Sequence, residues 1–255
     1  MEQRRKFIQK MGLLAGAFSA NSLFNQLHAA SWDAAARKIQ SLSPLDAAAD
    51  EDYWSVIQQS YTVNSNLINL NNGGVSPSPR VVQEAVERFN KLSNEGPSYY
   101  MWRIIDQGRE PLRQKLALLA GCSPEEIAVN RNATEALNTV IFGLDMKAGD
   151  EVIGTKQDYP NMINAWKQRV EREGIVYTQL NFKFPIENDE EIVSAFEKAI
   201  TPKTKFLYLT HIINWIGQIL PVKKIAQMAH HRGLEVIVDG AHSFGLLDYK
   251  IPDLE

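Results

Sequence analysis

The stretch VIVDGAHSFG, Val236 to Gly245, ends an apolar run on Asp239 and places His242 three residues further on. A carboxylate at the tip of a buried strand is costly unless hydrogen bonds or a cation meet it. A protonated ring nitrogen is one such cation, and it would hold the aspartate ionised. A capping or turn aspartate is the other reading, and for His242 the other reading is an ordinary loop histidine. Polar groups follow three further apolar runs. Asn130-Arg131-Asn132-Ala133-Thr134 follows IAV, Asp158-Tyr159-Pro160-Asn161 follows VIGT, and His211 with Asn214-Trp215-Ile216-Gly217 follows FLYLT. Gathered on one rim, these loops supply a hydroxyl, an aromatic ring, an amide, a carboxylate and an imidazole.

The segment NATEALN, Asn132 to Asn138, has a mechanical meaning of its own. Small residues and a threonine open a helix there. The unpaired N–H groups and the positive end of the dipole favour a phosphate, to which Thr134 can add its hydroxyl. Asn132 or Thr134 as a plain helix cap is the competing reading.

Placing these groups together requires alternating strands and helices. From Arg109 onward the pattern is regular: a helix over 110–120, a short strand EEIAVN, a helix ATEALNTVIFGL and a strand DEVIGT. A helix NMINAWKQRVERE, a strand IVYTQLN and a helix NDEEIVSAFEKAI, with Asn188 and Glu191 spaced as a capping box, come next. The strand KFLYLTH, the helix VKKIAQMAHHR and the strand LEVIVD complete the run. Such alternation predicts an α/β fold with a mostly parallel sheet and helices on both faces. In that architecture ligands sit beyond the carboxyl ends of the strands. Upstream, LINLNNGGVSPSP is predicted as a strand running into a loop, with Ser78 and Pro79 opening a helix. SYYMWRII, Ser98 to Ile105, is aromatic-rich and suits a site mouth, a dimer seam or plain core packing.

The chain has 255 residues, 44% of them hydrophobic, with a formal net charge of -3. That balance gives no basic face, so no nucleic-acid partner is expected. The single cysteine, Cys122, excludes an internal disulfide and a CxxC knuckle, and no metal site is expected. Neither GxGxxG nor GxxxxGK[ST] occurs, which removes the usual dinucleotide and P-loop signals. At the N-terminus, Arg4-Arg5-Lys6-Phe7-Ile8 precedes the uncharged MGLLAGAFSANSLF and the small residues around Ala29 and Ala30. This pattern resembles a twin-arginine export signal over residues 1–30, which implies the Tat machinery as a partner and a periplasmic location. A basic cytoplasmic helix is the alternative. Residues 31–66 then form an N-terminal helical segment, and 67–255 the large domain.

NRNATEALN, KQDYPNM, THIINWIGQILPVKKIA and VDGAHSFGLLDYKIPDL together resemble the class V aminotransferase family of pyridoxal-phosphate enzymes, closest to its isopenicillin-N-epimerase-like branch. The resemblance covers Leu67 to Leu254. It implies the fold-type I large domain, with a small C-terminal domain missing from this chain, and pyridoxal 5'-phosphate as cofactor. It implies an amino-acid substrate, transamination or epimerisation at the α-carbon, and a homodimer in the full-length form. Cysteine desulfurase-like or kynureninase-like activity, and a non-catalytic cofactor-binding fragment, are the alternatives. By the same resemblance Ala133 and Thr134 hold the phosphate, and Tyr159 stacks on the pyridine. Asn214 and His242 approach its phenolic oxygen, and Asp239 pairs with its ring nitrogen. Asn72 and Gly73 fall where relatives place a loop near the substrate. The lysine that forms the resting imine is expected beyond Glu255; Lys250 comes too early and lies in a connecting segment.

Overall fold

A computed structural model describes residues 33–64 and 66–255. The leader expected over residues 1–30 lies outside the described residues. The chain divides into two compact units, one of residues up to Asn72 with Ser76–Lys91, the other of Gly73–Val75 with Leu92–Glu255.

In the first unit, helices α1 (Pro44–Ala48) and α2 (Glu51–Gln59) are opened by Ser43 and Asp50, whose side chains accept from Asp46 N–H and Tyr53 N–H. The strand expected at Leu67 does not form. Asn64 and Asn69 take the N–H groups of Asn66 and Asn71 at 2.9 and 3.2 Å, so local side-chain bonds replace a ladder. Helix α3 (Arg80–Glu95) then starts one residue after Pro79.

The second unit carries the sheet. Strands β1 (Glu151–Thr155), β2 (Val176–Leu180), β3 (Thr204–Thr210) and β4 (Glu235–Asp239) are all parallel, in the order β2-β1-β3-β4. The strand expected at EEIAVN is instead a 3-10 turn, Pro124–Glu126, followed by unpaired backbone. The reason is local. Arg113 donates to the carbonyls of Pro124 and Ile127, and Ser123 N–H donates to Glu126 Oε2 at 2.7 Å. Those groups are satisfied without a neighbouring strand.

Helix α4 (Arg109–Ala120) ends at Gly121, which adopts a left-handed φ of 74°. A Cβ there would also lie 2.7 Å from Lys250 Cβ, so glycine is required twice over. Lys250 Nζ donates to the last carbonyls of α4, Leu118 at 3.1 Å and Leu119 at 2.8 Å. Those bonds cap the helix and give Lys250 a structural place.

Helices α5 (Ala133–Gly143), α6 (Pro160–Glu173), α7 (Asp189–Ala199) and α8 (Val222–His230) cover both faces. Side chains alternate along a strand, so each face has its own core. Ile153, Leu207 and Leu209 pack against Ile192 and Phe196 of α7 and Ile225 of α8. Val152 and Tyr208 pack against Ile141 of α5 and Met162 and Trp166 of α6. Asn188 caps α7 by accepting from Glu190 N–H rather than through the expected box with Glu191.

Residues Ser98–Ile105 are not core. The segment Tyr100–Ile105 is a π-helical turn, none of its residues is buried, and Trp102 is 72% exposed.

Candidate functional site

The order β2-β1-β3-β4 makes the chain leave β1 in one direction, toward β2, and return past it to β3. Helix α6 follows β1 on one face, while α7 and α8 pack on the other. The crevice between the carboxyl ends of β1 and β3 is therefore a topological switch point, where open α/β sheets take ligands. A cavity of about 520 Å³ opens there. Its wall includes Asn132, Ala133, Thr134, Tyr159, Thr210, Asn214, Asp239 and His242, with the Gly73–Val75 loop. A volume of this size suits a small organic ligand.

Period-two geometry explains why the polar tips converge. Gly154 and Val152 share a face of β1, as do Tyr208 and Thr210 on β3 and Ile237 and Asp239 on β4. Thr210 stands in register with Asp239. This is the face that α5 and α6 cover, so the start of α5 meets the strand tips.

At that helix start Asn132 is the cap, accepting from Glu135 N–H at 2.9 Å, while Glu135 reaches back to Arg131 N–H at 2.8 Å. The N–H groups of Ala133 and Thr134, in the first turn, have no intrahelical partner and lie at the cavity wall. The capping role thus falls on Asn132 and not on Thr134.

Asp239 is 5% exposed. Ala241 N–H donates to its Oδ1 at 3.0 Å, and the Tyr208 hydroxyl lies 3.3 Å from Oδ2. Burial, with the neighbouring Asp239 charge, pushes the Tyr208 phenol far above its ordinary value, so it stays protonated and donates. The carboxylate faces the cavity with no basic side chain bonded to it among the described residues. His242 is half-buried beside Gly73, where a Cβ would lie 3.6 Å from its Cε1. Asn214 is exposed on the turn after β3, and Tyr159 is 40% exposed at the N-cap of α6. Asn72 belongs to the first unit, where its side chain is engaged with Asn69. His211 turns away from the cavity, buried edge-on to Tyr249 with ring centroids 5.3 Å apart.

The sequence reading of the site missed three residues. Tyr208 and Thr210 lie inside the strand KFLYLTH, each on Asp239's face at an even spacing. Asp158, three residues beyond β1, carries a signal akin to that of Asp239, a carboxylate close behind an apolar strand. Asp158 is 2% exposed; Thr155 N–H donates to its Oδ2 at 2.6 Å and Thr210 Oγ1 to its Oδ1 at 2.9 Å. Burial pushes Asp158 up to about 6, the nearby Asp239 adding to this and the Thr155 and Thr210 donors opposing it.

Fold and site together define a ligand-binding α/β domain, with a helix N-terminus facing a buried strand-tip carboxylate. The Aminotransferase class-V family model matches residues 68–255, and the chain belongs to that family. It is similar to isopenicillin N epimerase of Streptomyces clavuligerus, 28% identical over 198 residues, which cover 78% of this chain and 50% of that protein. A probable cysteine desulfurase of Synechocystis sp. is 33% identical over 69% of this chain and 43% of its own length. Among solved structures, the C-DES mutant K223A, described with glycine covalently linked to the PLP cofactor, superposes with a TM-score of 0.67. It is 26% identical, over 78% of this chain and 53% of that one. The chain thus spans about half the length of the curated relatives it matches. The fold is that of the fold-type I pyridoxal-phosphate enzymes, as the sequence predicts.

Proposed function

We propose that this chain forms the pyridoxal 5'-phosphate site of an enzyme acting on an amino acid, by transamination or by epimerisation at the α-carbon. The observation that carries the reading is Asp239, a buried carboxylate with no cationic side chain bonded to it among the described residues, across the same cavity from the first turn of α5. A ligand with a cationic ring at one end and a phosphate at the other satisfies both, so the residues present fit this cofactor. When bound, pyridoxal phosphate supplies a ring that accepts electrons from a breaking bond at the α-carbon.

The chain's own residues would do the rest. Asp239 holds a proton on the ring nitrogen, and Tyr208 and Ala241 N–H fix the carboxylate's orientation. Ala133 and Thr134 N–H bind the phosphate. The Tyr159 ring, at the cavity wall, would stack on the pyridine. Asn214 and His242 donate or hold a proton at the phenolic oxygen.

Titration of the protein with pyridoxal phosphate tests this. A saturable change in the cofactor's own absorbance, beyond that of the free cofactor, is expected. Wild-type protein with no affinity for the cofactor overturns the reading.

A cysteine desulfurase-like lyase is the second reading, favoured by the 33% identity to the Synechocystis relative. Alanine release from L-cysteine supports it; exchange of an α-proton with solvent deuterium, without sulfur release, supports the first. The twin-arginine leader and periplasmic location, and a homodimer, belong to the same proposal. Arg4-Arg5 followed by an uncharged apolar run supports export, and fractionation of cells carrying an Arg4→Lys, Arg5→Lys variant tests it. Sedimentation of the holoprotein tests the dimer.

A further inference from the structure

We propose that Asp158 is the positioning residue of this site: it locks the loop after β1 so that Tyr159 presents its ring to the bound pyridine in one orientation. The proposal rests on the cofactor reading above.

The loop is tied down at every residue before Tyr159. Lys156 N–H donates to Leu180 O at 2.7 Å, and Gln157 N–H to Thr155 Oγ1 at 3.1 Å. The buried Gln157 amide donates to Asn181 Oδ1 at 3.0 Å and to Phe182 O at 2.9 Å. Asp158 then binds back to Thr155 N–H and across to Thr210 on β3. Room for its carboxylate exists because residue 154 is glycine. A Cβ at Gly154 would lie 2.8 Å from Asp158 Oδ2 and 2.7 Å from the Tyr177 hydroxyl. Strand β1 leaves out a side chain where the carboxylate sits.

On the far side of Tyr159, Pro160 is the first residue of α6. Proline fixes its own φ and confines the preceding residue to extended backbone, as the Tyr159 angles of -61° and 130° show. The backbone of Tyr159 is held from both sides while its ring stays at the cavity wall. Stacking depends on offset and tilt, and a ring whose backbone is held in place before binding loses less freedom on binding.

The test uses the full chain, pyridoxal phosphate and inorganic phosphate. The visible circular dichroism of the bound cofactor reads ring orientation, and competition by inorganic phosphate reads the helix end alone. Asp158→Ala is expected to lose most of the dichroic band and to weaken pyridoxal phosphate about tenfold, with inorganic phosphate unchanged. Asp158→Asn keeps an acceptor for Thr155 N–H and places a donor toward Thr210, so it is expected to retain the band within about twofold. If Asp158→Ala does not fold, Gly154→Ala displaces the carboxylate and is expected to reduce the band in the same way.

An unchanged band and affinity in a folded Asp158→Ala or Gly154→Ala overturn the proposal. So does an equal loss in Asp158→Asn, which would assign the effect to charge, or an equal loss of inorganic phosphate, which would assign it to general damage. No cofactor binding by the wild type overturns the cofactor reading and this proposal together; binding by the wild type with an unmoved Asp158→Ala overturns this proposal alone.

Discussion

Asp158 and Asp239 stand at the carboxyl ends of two strands of one sheet, both nearly inaccessible, and they differ in what answers their charge. Asp158 is enclosed by donors from its own loop and from β3, and a glycine makes room for it. Asp239 has one backbone N–H and one phenol behind it and open cavity in front. The first is a carboxylate supplied with hydrogen bonds by the fold on both oxygens, although these do not fully offset its burial. The second is one whose needs are half met, and an incomplete shell at a buried charge is where a ligand is wanted.

Removing the Asp239 charge should have the largest effect. Asp239→Ala takes away the partner of a ring cation, and pyridoxal phosphate affinity should fall about 100-fold or more, read by fluorescence titration. If Asp239→Ala binds like the wild type, the contrast with Asp158 collapses.

At the opposite end of β1, Glu151 sharpens the comparison. Its burial opposes ionisation, but the hydroxyls of Thr178, Thr201 and Thr204, at 2.6–2.7 Å, outweigh it and hold the carboxyl below its ordinary range. Glu151→Ala should cost about 2 kcal/mol in urea denaturation, since three hydroxyls, that of Thr204 buried, lose their acceptor. A carboxyl depressed in the folded state stabilises above its unfolded pKa. The wild-type advantage should therefore shrink as pH drops through the folded value, below the ordinary 4.5.

Asp158 should behave with the opposite sign. Burial, with a smaller contribution from the nearby Asp239, raises it to about 6 in the folded protein, against the ordinary 3.8. The folded state therefore takes up its proton first, and the ionised form costs stability above about pH 6. Relative to Asp158→Asn, the wild type should gain about 1.5 kcal/mol between pH 7.5 and pH 5. A pH-independent difference between the two proteins would refute the assignment. Tyr177 and Tyr208, which also face this pair, are pushed far above this range and do not titrate in it.

Lys250→Ala should have the smallest effect. It removes two bonds at the exposed end of α4, costing under about 1 kcal/mol, and should leave pyridoxal phosphate affinity unchanged. A loss of cofactor binding in that variant would mean that Lys250 does more than cap.

Much of the sheet was legible because periodicity is local. The apolar runs of β1 to β4 and the stops at Gly121, Gly174 and Gly233 are visible one segment at a time. The two failed strands share a cause. At Leu67 and at EEIAVN the propensity was present, but side chains from Asn64, Asn69 and Arg113 took the backbone groups that a ladder would need. Asp239 was legible because its cost is local. Asp158 was not, because its meaning depends on Thr210, 52 residues away, and on the missing side chain of Gly154.

By itself the sequence determined the alternation of strands and helices, the residues at each strand tip and the family. These depend on local pattern and on side-chain chemistry. Only the tertiary structure decided that β1 and β3 are neighbours, that Asn132 caps while Ala133 and Thr134 stay free, and that one aspartate is enclosed while the other faces a cavity. Strand order and the fate of a buried charge are settled by partners far apart in the chain. Packing brings those partners together; spacing along the sequence does not.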